Sequence, residues 1–246
     1  MRLAVLSDIH ANLEALRAVL EDVHAQSARV PIRDVISLGD AVGYGPDPNA
    51  VVHRLRREGI ACIQGNHEQG VLIPKKRGWF NPTTRKSLEI TLGLLSLKTL
   101  SVLRTWPLCI EHEAYLAVHG CPPADPFDYL FEYEPETLPE LFATFPQKVC
   151  FVGHTHLLHL ASWDGHAATL DEIEPGTIRL EKNRRYIVNV GSVGQPRDGS
   201  LAAKYVIWDE TDAVLDVRSV PYDAKPTIAK IEALGFPEVN ARRLRE

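Results

Sequence analysis

Three times in the first seventy residues, a short apolar run gives way to a polar break and then to apolar residues at helical spacing. The run at residues 2–6 predicts a strand, Asn12 a helix cap, and residues 13–25 an amphipathic helix. Residues 34–38 predict a second strand, with Asp47 and Pro48 suited to the cap and first turn of a second helix. Gly59 stops that helix, and residues 60–63 predict a third strand. Repeated strand and helix alternation implies parallel strands whose carboxyl ends present loops for ligands.

Beyond this the pattern is helical and Leu-rich over residues 83–103 and ends before Pro107, with short strands expected at 108–110 and Tyr115–Val118. The stretch CPPADPFDYLFEYEPETLP is rich in proline, acids and aromatics and predicts a long surface loop leading into a short helix. A strand at 148–152 follows. A β-rich region comes next, with clear alternation at 186–190, 204–208 and Val214–Val220, then a terminal helix at 226–234. No repeat or interdomain linker interrupts the chain, so one α/β sandwich domain over residues 1–246 is expected.

Composition narrows the picture only slightly. With 45% hydrophobic and 24% charged residues the chain has the makings of a core and little room for disorder. A net charge of −5 argues against a dominant nucleic-acid or anionic-membrane surface. The first apolar run ends at Asp8, too early for a signal peptide, and no run approaches a membrane span, so a cytoplasmic protein is expected. Cys62, Cys109, Cys121 and Cys150 are scattered, without a C-x-x-C pair, and read as reduced, buried packing residues.

The chemistry concentrates in five segments: Asp8-Ile9-His10, Gly39-Asp40, Gly65-Asn66-His67-Glu68, His119-Gly120 and Gly153-His154-Thr155-His156. Each follows an apolar strand. Together they offer carboxylate, amide and imidazole donors, which suit two divalent metals such as manganese, iron, zinc or nickel, and no thiolate. A carboxylate has two oxygens, so Asp40 is able to bridge two ions.

In this order the motifs D-x-H, G-D, G-N-H-E, H-G and G-H-T-H resemble the calcineurin-like metallophosphoesterase family. The later NVGSVGQPRDG resembles a segment of its bacterial phosphoesterases, which extends the match to most of the chain. The resemblance implies a four-layer αββα sandwich with two mixed β-sheets flanked by helices. It further implies that Asp8, His10, Asp40 and His156 hold one metal and Asp40, Asn66, His119 and His154 the other. His67 is left outside to orient substrate and protonate the leaving oxygen. The implied reaction is in-line attack on phosphorus by a hydroxide held between the metals. The substrate is a small phosphate ester, nucleotide-type compounds included.

Two departures stand out. Ala11 takes the place of the glycine of D-x-H-G, and AVGYG after Asp40 lacks the arginine of G-D-x-V-D-R-G. The second departure weakens a Ser/Thr protein phosphatase reading and favours a phosphodiester, which carries a single charge. Monoesters and dinucleoside polyphosphates stay open, and the rival class is a non-catalytic docking scaffold on the same fold. Among other residues, Asn12 reads as a cap and Arg197-Asp198 as a turn, with a phosphate contact by Arg197 the alternative. Lys75, Lys76 and Arg77 read as a solvated face. The alternating Phe127, Tyr129, Phe131 and Tyr133 read as packing, on a strand face, rather than as a nucleobase lip. Tyr44 is left open between the cleft and a turn.

Overall fold

The computed structural model describes residues 1–245. Strand β1 (Arg2–Leu6) lies parallel to β2 (Asp34–Ser37), and β2 to β3 (Ala61–Cys62). Helix α1 (Leu13–Arg29) joins the first pair and α2 (Pro48–Arg57) the second. Antiparallel strands β11 (Ala203–Asp209), β12 (Val214–Val220) and β9 (Gly176–Arg179) complete a mixed sheet in the order β3-β2-β1-β11-β12-β9. The second mixed sheet runs β4-β5-β6-β10-β7-β8. Its strands are β4 (Cys109–Glu111), β5 (Tyr115–Val118), β6 (Val149–Val152), β7 (Leu158–Trp163), β8 (Ala168–Glu172) and β10 (Arg185–Val190), with β5, β6 and β10 parallel.

The layering follows from side-chain alternation along strands covered on both faces. In β1, Leu3 and Val5 meet Ala117, Phe151, Val188 and Val190 of the second sheet, while Ala4 and Leu6 face Leu16, Val19 and Leu20 of α1. In the second sheet Leu116, Val118, Cys150 and Val152 pack outward on Leu138, Leu141 and Phe142 of helix α6 (Leu138–Phe142). Helix, sheet, sheet and helix therefore form the expected four-layer αββα sandwich.

The structure departs from the expected elements at particular places. The helix expected over 83–103 is two, α4 (Pro82–Leu94) and α5 (Leu97–Leu103). Ser96 caps α5 by accepting from Thr99 N at 3.1 Å. Asn49 of α2 clamps the break, donating to Leu94 O at 2.7 Å and accepting from Ser96 N at 2.9 Å. Phe127, Tyr129, Phe131 and Tyr133 lie in the expected loop, which has a 3-10 turn over Leu130–Glu132 and leads to the short helix α6, and the strand face that their alternation allows does not form. Cys109 is only half-buried, near the edge strand β4, whereas the other three thiols are buried. Lys76 lies over the Phe127 ring and Arg77 donates to Gly70 O and Val71 O, so only Lys75 of that run is fully exposed.

The terminal helix appears as α7 (Lys225–Ala233) and is followed by α8 (Glu238–Arg242), which the sequence pattern had not suggested. Lys230 joins α7 to Glu14 at 2.8 Å and Asp47 at 2.7 Å, and Asn240 donates to Tyr44 O at 3.0 Å. Ile231, Phe236, Ala241 and Leu244 pack with Ile90 and Leu94 of α4, which fixes the pair of helices across the end of the sandwich. No helix among the described residues is long and apolar enough to cross a membrane.

Asp22 ties α1 to the first sheet, accepting from Arg218 Nε and Nη2, each at 3.1 Å, and from Tyr205 Oη at 2.7 Å. Partial burial raises its pKa, but these hydrogen bonds outweigh that and hold the carboxyl below its ordinary value of 3.8. Asp22→Asn is expected to cost about 1 kcal/mol, after allowance for solvent screening. The gap should persist above pH 3.8 and close as pH falls through the lower native value. Denaturant unfolding of wild type and variant across pH 2–7 checks this.

Candidate metal centre

All five motifs lie just beyond the carboxyl ends of parallel strands: Asp8 and His10 after β1, Asp40 after β2, Asn66 and His67 after β3, His119 after β5, and His154 and His156 after β6. Asn66 and His67 open helix α3 (Asn66–Leu72). The seven metal-type residues and His67 are all buried. Three clusters place ligand atoms within 4.8 Å of one another: Asp8, His10 and His156; Asp40, His119 and His154; and His10, Asp40 and His67. Asp40 and His10 thus belong to neighbouring clusters, and distance alone would also admit His67 beside them.

Turning the side chains inward needs unusual backbone. Asp8, His10, Asp40, His154 and His156 have φ between +47° and +67°, a left-handed conformation that costs a non-glycine residue roughly 1–2 kcal/mol. Backbone bonds enforce it: Asp8 N donates to Gly39 O at 3.1 Å and His10 N to Asp40 O at 2.8 Å. Ala11 shares the strain at φ +51° and is held on Ala41 O, so the missing glycine does not change the turn. Gly65 and Gly153 serve close approach. A Cβ on Gly65 would stand 2.2 Å from Asp40 Oδ1, and one on Gly153 2.6 Å from Asp8 Oδ2. The NVGSVG segment braces β1 from the other side, with Gly194 N and Ser192 Oγ both donating to Asp8 O at 2.9 Å.

The donor atoms have the geometry that metal ligation requires. His10 Nδ1 lies 3.2 Å from Val42 O, His119 Nδ1 2.8 Å from Leu38 O, and His156 Nδ1 2.6 Å from Gln195 O. A carbonyl only accepts, so each Nδ1 carries a proton and each Nε2 is directed into the site. His10 Nε2 and His156 Nε2 face one another at 3.1 Å, a repulsive pair of lone pairs unless a cation lies beside them. Each carboxylate divides its oxygens. Asp8 Oδ2 accepts from Ser7 Oγ and His154 N while buried Oδ1 has no hydrogen-bond partner and lies 3.2 Å from His156 Nε2. Asp40 Oδ1 accepts from His67 N, and Oδ2 stands 3.4 Å from His119 Nε2 and 3.8 Å from His10 Nε2. His154 Nε2 is likewise buried without a partner.

Charge follows the same logic. Burial pulls His154 down to about 3 and, with the Arg197 guanidinium, His156 to about 4, so both are neutral donors at pH 7. Burial raises Asp8 and Asp40, but the surrounding imidazoles outweigh it and keep both carboxylates ionised. Burial also opposes protonation of His119, yet Asp40 and Asp8 push it up to about 9, a sign that the buried anions call for positive charge. The donor set fits divalent metals.

Residues 1–213 match the profile of the calcineurin-like phosphoesterase superfamily domain. The chain belongs to this superfamily. It is 35% identical to an uncharacterized protein of Methanocaldococcus jannaschii, over 98% of this chain and 96% of that one. A metallophosphoesterase from Sphaerobacter thermophilus has a similar structure, with a TM-score of 0.83 and 31% identity over 100% of this chain and 99% of the other. A hypothetical protein from Pyrococcus horikoshii shares the fold at a TM-score of 0.78 and 21% identity, over 99% and 97% of the two chains.

Within this superfamily member, several residues take roles that the sequence pattern alone does not assign. Glu68 is buried and accepts from Asp40 N and Gly65 N, both at 2.8 Å, and from Val42 N at 3.1 Å; the N-H-E spacing was its only signal. Burial and the Asp40 carboxylate push its pKa up to about 7. Arg197, read as part of a turn, lines a cavity of about 280 Å³ with Asp40, His154 and His156. Arg243, just after α8, lines it too, as do Tyr44, Trp79 and Tyr129. Tyr129 stacks on His154 with ring centroids 4.0 Å apart, so one of the four alternating aromatics forms the site wall. Asn12 is the cap of α1, accepting from Ala15 N at 3.1 Å. A larger hollow of about 640 Å³ between α2 and α5 contains none of the cluster residues.

Glu68→Gln places an amide N–H against backbone donors and should lower stability by about 1–3 kcal/mol, read by denaturant unfolding at neutral pH. Because the amide leaves one oxygen for three backbone donors, the Asp40 turn is held less firmly, and metal retention measured by elemental analysis should fall with it.

Proposed function

We propose that the protein is a two-metal phosphoesterase acting on a small phosphate ester. The observation that carries this reading is the convergence of buried Nε2 atoms and free carboxylate oxygens, with the His10, His119 and His156 rings anchored from behind by backbone carbonyls. Asp8, His10, Asp40 and His156 would hold one ion and Asp40, Asn66, His119 and His154 the other. The two ions would polarise the phosphoryl oxygens and supply an activated water for in-line attack.

The chain's own groups do the rest. Asn66 Oδ1 and His119 Nε2 lie 3.0 Å apart, so both would face the same ion. His67 orients the ester and delivers a proton to the leaving oxygen from Nε2, which lies 4.0 Å from Asp40 Oδ2. Burial draws this ring down to about 3, so it is neutral in the free protein and acts as the acid only after taking up a proton, which the negative charge of a bound phosphate ester beside it favours. Trp79 and Tyr129 wall the cavity.

A diester was the expectation from the missing G-D-x-V-D-R-G arginine. Arg197 and Arg243 line the cavity and supply guanidinium charge from elsewhere, which favours a second reading in which the substrate carries more charge than a simple diester. A docking scaffold would need no complete donor set, and every position here carries a competent side chain.

Asp40→Asn should abolish hydrolysis and lower metal content at both positions, measured by elemental analysis; two metals per chain with undiminished turnover would end the bridging role. His67→Ala should keep both metals and lose turnover by roughly 10²–10⁴-fold, less with good leaving groups. Loss of a metal in that variant would move His67 into the ligand set. A chromogenic diester, its monoester and a phosphoserine peptide assayed with manganese rank the substrate classes.

A further inference from the structure

Arg197 and Arg243 converge from distant parts of the chain on one neutral side chain. Gln195 Oε1 accepts from Arg243 Nη1 at 3.0 Å and lies 3.4 Å from Arg197 Nη2. Gln195 is 2% exposed, and its carbonyl is the group that fixes His156 Nδ1 at 2.6 Å. Arg197 Nε is buried with no hydrogen-bond partner. Among the described residues neither guanidinium has a carboxylate within 4.0 Å, whereas Arg218 and Arg54 are each paired with one. Two like charges held together on an amide, one with an orphaned donor, form an arrangement that an anion would complete.

The pair also stands between two hollows. One is the cavity of about 280 Å³ that contains Asp40, His154 and His156. The other, about 330 Å³, shares Arg197 and Arg243 and adds Arg242 and Ser200. Positive charge therefore leads away from the metal-type cluster into a neighbouring space. The loop carrying Arg197 is pinned by buried Lys204, whose Nζ lies 3.0 Å from Asp198 Oδ2 and donates to Ser200 Oγ at 2.9 Å. On the other side Arg243 is positioned by α7 and α8, beyond the residues matched by the family profile.

We infer that Arg197 and Arg243, extended by Arg242, form a second phosphate subsite, so that the substrate carries another phosphoryl group beside the one that is cleaved. This rests on the phosphoesterase reading for the cleaved group. A second phosphate presents several oxygens to two planar forks at once, which a lone diester positioned at the cluster does not. The C-terminal helices thereby become a specificity element of the site.

Titration calorimetry of the full chain, metals in place, with inorganic orthophosphate and inorganic pyrophosphate tests the subsite. Wild type should bind pyrophosphate at least roughly 10-fold more tightly than orthophosphate, and Arg243→Gln should reduce that preference by roughly 10–100-fold. Arg243→Lys, which keeps the charge and stem, should restore part of it, and is read in place of Arg243→Gln if that variant does not fold. In that case a several-fold loss relative to wild type supports the subsite. Equal affinity for the two anions in wild type, or an unchanged preference in the variant that is read, overturns it. Hydrolysis of the chromogenic esters is scored separately. Turnover without any arginine effect removes only the subsite, whereas an intact arginine effect without turnover on any ester removes the phosphoesterase reading.

Discussion

Electron pairs crowded into a dry space repel one another, and the site is built around that repulsion. Two ionised carboxylates and four imidazoles meet where His10 Nε2 and His156 Nε2 are 3.1 Å apart and Asp8 Oδ1 has no hydrogen-bond partner. Among the side chains only the attraction of His119 to the two carboxylates favours this, so most of the restraint comes from the backbone behind them. Left-handed turns at five of these residues point the donors inward, and carbonyls of Leu38, Val42 and Gln195 fix three imidazoles by Nδ1. The sandwich supplies rigid strand ends for those turns, and a divalent cation is the species whose charge would relieve the crowding.

The same constraint accounts for residues that are not donors. Glu68 gathers three backbone N–H groups around the Asp40 turn, and the Ser192 and Gly194 contacts hold the carbonyl of Asp8. Glycines stand at residues 65 and 153 because a methyl group there would meet the carboxylates. Much of the sequence beside the donors is therefore concerned with holding strained turns still, and NVGSVG reads as bracing in the same sense. Gln195 joins this scaffold to the arginine side of the cavity, since its backbone carbonyl orients His156 while its side chain organises Arg197 and Arg243.

Local pattern was enough for the alternation of β1, α1, β2, α2 and β3, because each face of those elements repeats with the period of its own structure. It was enough, too, to bring the metal-type residues to one edge, since each follows an apolar strand and parallel strands bring their carboxyl ends together. It failed where a distant residue decides local conformation. Asn49 clamps the break at Leu94 and Ser96 from another helix, and Tyr129, in the expected loop, is brought onto His154 only by the fold.

The sequence by itself determined the donor types and their order along the chain, and through them the chemistry open to the site, because the identity of a ligand atom is a covalent property. Only the tertiary structure decided which donors share an oxygen or face one another, since those distances depend on how two sheets pack. It alone revealed Arg243 in the cavity. That residue follows a five-residue helix without a motif, and its place depends on α7 and α8 docking through Lys230, Asn240 and the apolar contact with α4. Charge borne on a long side chain gives no periodic signal, so where it acts is settled by packing.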